Sequence, residues 1–156
     1  MPSAHERTLV IIKPDALQRS LIANIIQRFE RKGLLLVGIK MMSIGDTLII
    51  EHYAHHVDKP FFDDLKSFMQ STPVIVMAWQ GVEAVHMARQ LIGATSGRKA
   101  DIGTIRGDLS NSVSRNIVHG SDTVENAEIE VKRFFKDDEL FDWHKTELEH
   151  IYAPDE

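Results

Sequence analysis

Cysteine is absent from the 156-residue chain, which excludes disulfides and thiolate metal sites and is compatible with a reducing compartment. No apolar run approaches membrane-spanning length, and the N-terminal residues lack the charged and apolar regions of a signal peptide. Eighteen basic and 23 acidic side chains give a formal net charge of -5, so the chain has no general electrostatic attraction to nucleic acid. We therefore expect a cytoplasmic protein that binds neither membranes nor a specific nucleic acid.

Two glycine motifs that bind nucleotide phosphates are also missing. Neither G-x-x-x-x-G-K-[ST] nor G-x-G-x-x-G occurs in the sequence. If the chain binds a polyanion, a local cluster of cationic side chains must therefore form most of the site. Lys13, Arg89 and Arg106 are candidates because each lies near the end of a predicted element, although each taken singly is more typical of a solvated surface cation.

Repeats, linkers and low-complexity segments are absent from the sequence as well. The length of 156 residues suits one domain that buries roughly two thirds of its unfolded surface. Hydrophobic residues at 43% and charged residues at 26% are typical of an ordinary globular protein. We predict a single domain over residues 1–156.

Hydrophobic periodicity predicts the element order β-α-β-α-α-β-α-β-α. The predicted strands cover residues 8–12, 34–42, 74–79 and 116–119, and the predicted helices cover 21–33, two stretches within 44–69, 81–92 and 123–135. The simplest architecture is an α+β fold, a ferredoxin-like antiparallel sheet sandwich with helices on its faces and an inserted helical pair. The pattern alone leaves a doubly wound parallel sheet open.

Three local features refine this order. Asp58-Lys59-Pro60 separates the inserted helical pair, because the residue before a proline is disfavoured in a helix. Residues 94–115 show no period, and a loop of that length is usually functional or part of an interface. The tail from Phe141 to Tyr152 retains enough aromatic residues to pack on a neighbour.

The segment Asn116–Asp122 places a histidine where chemistry is favoured. Its apolar residues predict a buried strand, Gly120 permits a sharp turn, and Asp122 followed by Glu125 resembles a capping box at a helix start. His119 would lie at the strand end beside a helix N-terminus, which favours phosphate or another anion. A neutral imidazole there could act as nucleophile or base, and the alternative is an ordinary histidine in a turn.

Two further histidines have a spacing that can chelate a metal. His52 and His56 lie four residues apart on a predicted helix. No third ligand with a sensible spacing accompanies them. The sequence therefore predicts no protein-bound metal at this pair.

The pattern Asn-x-x-His-Gly-Ser-Asp at Asn116–Asp122 resembles the active-site signature of nucleoside diphosphate kinases. Other stretches are similar to that family in order and spacing from about Glu6 to Tyr152: Glu6–Thr8, Ile12–Asp15, Glu51–Tyr53, Lys59–Phe62, Gly93–Thr95, Gly103–Asp108 and Val124–Glu130. The resemblance favours the ferredoxin-like fold over the parallel sheet. It also implies transfer of the γ-phosphoryl group of a nucleoside triphosphate, typically ATP, to a nucleoside diphosphate.

By this resemblance His119 is the nucleophile of a ping-pong reaction that passes through a phosphohistidine. Glu130 matches the carboxylate that holds the second ring nitrogen, whereas by itself it would be taken for a solvated acid on a helix face. Ser121 matches the hydroxyl that supports Glu130, although a helix-cap role would also explain it.

The resemblance also assigns the substrate site. Lys13, Arg89, Thr95 and Arg106 match the phosphate-binding residues. Mg²⁺ is the expected cofactor, bridging the β- and γ-phosphates with water and phosphate as its main ligands.

The rest of the nucleotide would lie against apolar and pocket-lining residues. Phe61 matches the aromatic that stacks on the base, and Leu65 and Val113 complete an apolar clamp. Stacking without edge-reading hydrogen bonds accepts every base, so we expect broad base specificity. Four positions line the pocket or reach the ribose hydroxyls in the family, and they correspond here to Tyr53, Asn116, Lys13 and His56.

Family members form homo-oligomers, and we expect a hexamer in preference to a tetramer. The chain departs from common family residues at Ser96-Gly97 and Asp101-Ile102, which fall in the loop that makes subunit contacts. Asp64, where glycine is frequent, adds a negative charge near the nucleotide entrance and is expected to weaken binding modestly.

Two rival functions remain. One is a nucleic-acid-binding regulator on the same fold, which the acidic balance and the lack of interleaved aromatic and basic residues on any predicted strand disfavour. The other is a degenerate assembly protein without catalysis, which the full set of matched polar positions disfavours.

Overall fold

The computed structural model describes residues 5–156; residues 1–4, which belong to the N-terminal segment discussed above, lie outside the described residues. One sheet contains four strands in the order β2-β3-β1-β4: β1 (Glu6–Ile12), β2 (Leu35–Met42), β3 (Val74–Gly81) and β4 (Val118–Gly120). Every pairing is antiparallel. The ferredoxin-like prediction is therefore confirmed, and the parallel sheet is wrong.

Seven α-helices of the described chain connect and cover these strands: α1 (Pro14–Gln18), α2 (Ile22–Lys32), α3 (Asp46–His52), α4 (Phe62–Met69), α5 (Ala84–Ile92), α6 (Ile105–Leu109) and α7 (Val124–Phe134). Short 3-10 helices lie at Ala54–His56, between α3 and α4, and at Asp137–Glu139 and Thr146–His150, after α7. The inserted pair, α3 and α4, is confirmed. Helices α1 and α6 were not predicted, and α6 lies inside the stretch predicted to be a long loop.

β1 lies at the centre of the hydrophobic core and is buried on both faces. Leu9 and Ile11 pack in a cluster with residues of α3, α4 and α7, whereas Val10 and Ile12 pack on the opposite face with residues of α2 and α5. Successive side chains of a strand point to opposite faces, so burial on both sides requires a continuous apolar run. This explains why β1 carries no polar alternation between Leu9 and Ile12.

The N-cap of α7 lies one residue later in the chain than the predicted cap, Asp122. Thr123 is the N-cap, and its hydroxyl accepts the Asn126 backbone N–H at 3.1 Å. Asp122 instead accepts a hydrogen bond from the Asn126 side-chain amide at 2.7 Å. The predicted capping box of Asp122 with Glu125 is therefore wrong, although the helix start near Thr123 is confirmed.

The C-terminal tail packs along the domain's own sheet. Phe141 N–H donates to the Val37 carbonyl at 2.9 Å, and the Trp143 indole N–H donates to the Leu36 carbonyl at 2.9 Å. Both aromatic rings nevertheless stay about half exposed. Between residues 5 and 156, no helix is long and apolar enough to span a bilayer.

Candidate active site

His119 and Glu130 form the central contact of the site. β4 pairs His119 with Ile11 of β1, and α7 packs over β1 so that Glu130 faces the strand end. His119 Nε2 lies 2.7 Å from Glu130 Oε1. Because a carboxylate only accepts, Nε2–H must donate to Glu130, which leaves the lone pair of the neutral ring on Nδ1. The imidazole thus presents one free nitrogen as a nucleophile.

The backbone that leads into β4 is strained. Ile117 has a φ of +64°, which is rare for a β-branched residue. Its N–H donates to Asp15 Oδ2 at 3.0 Å, and its carbonyl accepts the Lys13 N–H at 2.9 Å. The predicted strand at 116–119 is therefore too long at its start, since Asn116 and Ile117 belong to this turn rather than to β4.

Gly120 has a different role from the predicted turn. It lies within β4 and pairs with Val10 of β1. A Cβ at this position would meet Ile92 Cδ1 at 2.6 Å. Close packing of β4 against α5, rather than a sharp turn, therefore favours a small residue here, although the Ile92 methyl could move to admit a Cβ.

Lys13 and Asn116 meet next to this turn. Lys13 Nζ donates to Asn116 Oδ1 at 2.8 Å, and the Asn116 amide donates to the carbonyls of Thr95 and Val113 at 3.0 and 2.9 Å. Burial first, and then the positive charge of Arg106, lowers the pKa of Lys13 to about 8. An ammonium held in this way gains stability when an anion enters the site.

Arg106 extends from α6 across the carbonyl groups behind β4. Its guanidinium donates to the carbonyls of Val118, Asn116 and Gly93 at 2.7, 3.2 and 3.3 Å. Burial, followed by the charge of Arg89, lowers the pKa of Arg106 to about 10. Arg89 is exposed near the end of α5, close enough to Arg106 for their charges to interact. The three predicted cations therefore influence one another beside β4, while Thr95 remains exposed.

Tyr53 is buried beside His52. Its ring lies 4.7 Å from the His52 ring and 6.2 Å from the His56 ring, measured between centroids. Burial and the negative charge of Glu130 raise the pKa of the Tyr53 phenol. The hydroxyl is thus a neutral hydrogen-bonding group.

The three residues of the predicted base clamp differ in their exposure. Phe61 and Val113 are about half exposed, and the edge of His56 packs on the Phe61 ring with centroids 5.1 Å apart. Leu65 is partly buried against the core. Exposed aromatic and aliphatic surface of this kind suits a stacked planar ligand.

Asp64 is paired rather than free at the edge of this surface. Its carboxylate lies 3.7 Å from Arg115 Nη1, and the Arg115 guanidinium lies 3.9 Å from the centre of the Phe68 ring. Pairing with a cation offsets part of the repulsion that the carboxylate would exert on a nucleotide. Both side chains are exposed, so the pair is weak, and the modest weakening of binding by Asp64 stays a prediction.

Ser121 makes other contacts than the sequence suggested. Its hydroxyl is buried and accepts the Leu9 N–H at 3.3 Å, while its own N–H donates to the Leu9 carbonyl at 3.2 Å. Within residues 5–156, no hydrogen bond joins Ser121 to Glu130. Thr123 caps α7, so the helix-cap alternative for Ser121 is wrong.

His52 is the residue of the site that sequence reasoning missed. Its ring is buried with its centroid 4.8 Å from that of His119, and its Nδ1 lies 3.8 Å from Glu130 Oε1. Burial first, then the charges of His119 and Arg133, lowers the pKa of His52 to about 2, so the ring is neutral. The i, i+3 spacing of Glu130 and Arg133 indicates that both lie on one face of α7, but it does not indicate that His52 packs there.

The possible metal ligands of the described residues include His52 but not His56, its partner in the sequence spacing. Ligand atoms of His52, His119 and Glu130 lie within 4.8 Å of one another, and His56 is not among them. Arg133 Nη1 lies 3.0 Å from His52 Nδ1 and therefore occupies one of these ligand atoms. The cluster is a hydrogen-bonded network with a cation at its edge.

Comparisons with known proteins agree on one family. A family model described as nucleoside diphosphate kinase matches residues 6–140. A nucleoside diphosphate kinase of Parabacteroides distasonis is 56% identical over 151 residues, covering 97% of this chain and 99% of that protein. The relative of the same name from Saccharomyces cerevisiae is 45% identical over 152 residues, covering 97% of this chain and 99% of that protein.

Solved structures give the same result. The nucleoside diphosphate kinase of Halobacterium salinarum, solved in complex with CDP, superposes with a TM-score of 0.93 at 49% identity, over 96% of this chain and 100% of that chain. The enzyme of Encephalitozoon cuniculi superposes with a TM-score of 0.90 at 46% identity, over 94% of this chain and 99% of that chain.

Proposed function

Because the chain belongs to the nucleoside diphosphate kinase family of phosphotransferases, we propose that it moves the γ-phosphoryl group of a nucleoside triphosphate, typically ATP, to a nucleoside diphosphate through a phosphohistidine on His119. The observation that carries this proposal is the 2.7 Å contact from His119 Nε2 to Glu130, which leaves Nδ1 as the free nitrogen. A ping-pong reaction needs such a nucleophile.

The two half-reactions use the same nitrogen. In the first, Nδ1 attacks the γ-phosphorus, an N–P bond forms, and the bond to the β,γ-bridging oxygen breaks with its electron pair leaving on the diphosphate. In the second, a terminal β-phosphate oxygen of the acceptor attacks the phosphorus, and the N–P electron pair returns to Nδ1. The proton stays on Nε2, which donates to Glu130 throughout, and the Glu130 carboxylate stabilises the positive charge that the ring carries while it is phosphorylated.

Positively charged side chains place the phosphates in line with Nδ1. Lys13 and Arg106 donate hydrogen bonds to neutral amide and carbonyl groups, so no carboxylate cancels their charges and both can attract an anionic ligand. Arg89 and Thr95 are exposed beside them and complete the phosphate site. Since phosphoryl transfer depends mainly on positioning and charge neutralisation, these contacts account for most of the catalysis we propose.

Tyr53, Asn116 and the base clamp bind the remainder of the nucleotide. Asn116 is fixed by Lys13 and by two backbone carbonyls, so its position is defined before substrate binds. Phe61, Leu65 and Val113 offer apolar surface without base-edge donors, which supports broad base specificity. A relative's structure in complex with CDP is consistent with a pyrimidine nucleotide among the substrates.

Mg²⁺ would enter with the substrate. The cluster of His52, His119 and Glu130 does not suit it, because magnesium prefers six oxygen ligands and this cluster is rich in nitrogen. Phosphate oxygens and water would be more suitable ligands for the ion. Asp122, whose charge interacts with that of Arg89, would accept hydrogen bonds from the water ligands. When bound, the ion neutralises charge on the β- and γ-phosphates.

We further propose one catalytic domain over residues 1–156 that assembles into a homo-oligomer, with a hexamer preferred to a tetramer. Ile102 beside Asp101 is 86% exposed, and Ile39 and Met41 are exposed on the edge strand β2, which suits apolar surfaces covered by other copies. Light scattering after size-exclusion chromatography distinguishes the two assemblies. The cytoplasmic location stays a prediction from the sequence.

Incubation with γ-labelled ATP tests the mechanism. We expect acid-labile, base-stable label on the protein, discharged by added GDP and absent from His119→Ala. His86→Ala replaces an exposed histidine on α5 and should label like the wild type. Persistent labelling of His119→Ala would contradict the assignment. Salt-dependent oligonucleotide binding that is unaffected by this change, without phosphotransfer, would instead favour the nucleic-acid-binding alternative.

A further inference from the structure

His52 is a buried titratable residue that the proposed reaction does not use. We propose that Arg133 is a positioning residue, which fixes the tautomer of His52 and thereby reserves the Glu130 carboxylate for His119. This inference rests on the proposed function, since it concerns the state of the same nucleophile.

The geometry joins two helices across the site. Arg133 Nη1 from α7 lies 3.0 Å from Nδ1 of His52 at the end of α3. Arg133 Nε also lies 3.5 Å from Glu51 Oε1, which draws the guanidinium towards α3. The Arg133 side chain is 15% exposed and the His52 side chain 2%, so solvent screens their contact weakly, whereas Glu51 is 60% exposed and its pairing is screened more strongly.

The direction of the hydrogen bond determines the tautomer. A guanidinium can only donate, so His52 Nδ1 must accept and the proton of the neutral ring must be on Nε2. In this tautomer His52 carries no N–H towards Glu130, although its Nδ1 is only 3.8 Å from Glu130 Oε1. Of the two histidines, only His119 therefore donates a hydrogen bond to Glu130 Oε1.

This tautomer leaves a polar atom without a partner. His52 Nε2 is buried and makes no hydrogen bond within the described residues. A buried N–H without an acceptor is unfavourable. Without Arg133, the ring would therefore gain by moving its proton to Nδ1 and donating to Glu130. The hydrogen bond from Arg133 to Nδ1 stabilises the Nε2–H tautomer of His52, although its Nε2–H has no acceptor.

The competing tautomer would act on the nucleophile. If His52 Nδ1–H shares the Glu130 oxygen, the His119 Nε2–H contact weakens. The His119 proton is then less firmly held on Nε2. When the proton is on Nδ1, that nitrogen has no lone pair in the ring plane and cannot attack phosphorus. The rate of phosphorylation should fall while nucleotide binding, which uses other residues, stays unchanged.

Arg133→Met removes the donor and keeps an unbranched side chain, and Lys132→Met is the matched control because Lys132 is the adjacent exposed cation on α7. We expect Arg133→Met to lower the single-turnover rate of His119 phosphorylation about tenfold, with the ADP dissociation constant unchanged. Arg133→Lys keeps a donor and should recover part of the rate. Lys132→Met should react like the wild type.

A double-mutant cycle tests whether the effect passes through His52. His52→Phe keeps an aromatic ring against His119 but has no nitrogen, so adding Arg133→Met to it should cause no further loss. In ¹⁵N-histidine spectra, Arg133→Met should shift His119 from the Nε2–H form towards the Nδ1–H form. The wild type and Lys132→Met should show the Nε2–H form.

Two results would overturn the inference. One is an equal further loss on adding Arg133→Met to His52→Phe, and the other is an unchanged His119 tautomer in Arg133→Met. If Arg133→Met does not fold, the spectra and rates of Arg133→Lys and of the His52→Phe background decide the question. Absence of label on the wild-type protein would instead refute the proposed function, and the spectra would still test the tautomer.

Discussion

Replacement of Glu130 by glutamine tests the contact on which the proposed reaction depends. Glutamine has nearly the same shape and keeps an oxygen that can accept the His119 Nε2–H. It has no negative charge, so the ring loses the partner for the positive charge that develops when Nδ1 attacks phosphorus. The substitution therefore separates electrostatic stabilisation from orientation.

The size of the effect follows from the burial of the pair. His119 Nε2 and Glu130 Oε1 are 2.7 Å apart, and the Glu130 side chain is 10% exposed, so water screens the charge poorly. A hydrogen bond to a charged group contributes about 1.5–3 kcal/mol, compared with about 0–1 kcal/mol for an exposed ion pair. Loss of that stabilisation in the transition state corresponds to a rate about 10- to 150-fold lower.

Rapid-quench measurement of label transfer from γ-labelled ATP gives this rate directly. The first half-reaction of Glu130→Gln should be slower by the stated factor, while the dissociation constant for ADP stays within error. Glu128→Gln removes an exposed carboxylate from the same helix and should transfer label at the wild-type rate. A Glu130→Gln protein that labels as fast as the wild type would refute the charge-stabilising role of Glu130.

Three further results are expected. Nucleoside triphosphate affinity of the free protein should fall as pH rises through about 8, the lowered pKa of Lys13, and fluorescence titration should show a weaker pH dependence for Lys13→Met. The pKa of Lys13 is 10.5 in the unfolded chain and about 8 in the folded protein, so the unfolded chain binds more protons between pH 8 and 10.5. The free energy of unfolding of the wild type, measured in urea, should therefore rise with pH in that window relative to that of Lys13→Met. Gly107→Ala should lower the melting temperature and raise the KM for ATP, because its Cβ would lie 1.9 Å from the Asp101 carbonyl oxygen and displace α6 with Arg106. Gly45→Ala, with nothing within 4 Å of its Cβ, is the control, and equal melting temperatures of the two variants would contradict this reasoning.

Local sequence signals predict the elements that surround the site. The apolar run of β1 and the helical spacing that ends at Gly33, with a φ of +100°, both correspond to elements of the structure. Each signal depends on neighbours along the chain, such as burial on both faces of a strand or a left-handed glycine at a helix end. The resemblance to a known family adds what periodicity cannot, because it singles out which cations and carboxylates belong to the site.

The turn before β4 has no comparable local signal. Isoleucine is among the residues least suited to a positive φ, so nothing in the sequence predicts the backbone at Ile117. The conformation is held by Asp15 and the Lys13 backbone, about a hundred residues away in the chain. Tertiary contacts therefore override local preference where the backbone must aim Asn116 and His119.

The role of His52 depends on tertiary structure for a similar reason. In the sequence it is one of eight histidines, with a spacing to His56 that suggests a weak metal pair. Packing of α3 against α7 places it between His119 and Arg133 instead. No pattern within α3 encodes that neighbour, so the contact is visible only in the folded protein.

The chain is acidic overall, yet its site must attract a substrate with several negative charges. Within residues 5–156, neither Lys13 nor Arg106 forms an ion pair; their hydrogen bonds go to the Asn116 amide and to backbone carbonyls. A carboxylate partner would have to be displaced before a phosphate could bind, whereas neutral partners orient the cations without cancelling their charge. Burial lowers both pKa values, helped at Lys13 by the charge of Arg106 and at Arg106 by the charge of Arg89, and an incoming polyphosphate relieves this repulsion between cations. Under the proposed function, preorganised cations take the part that a glycine-rich loop has in other folds.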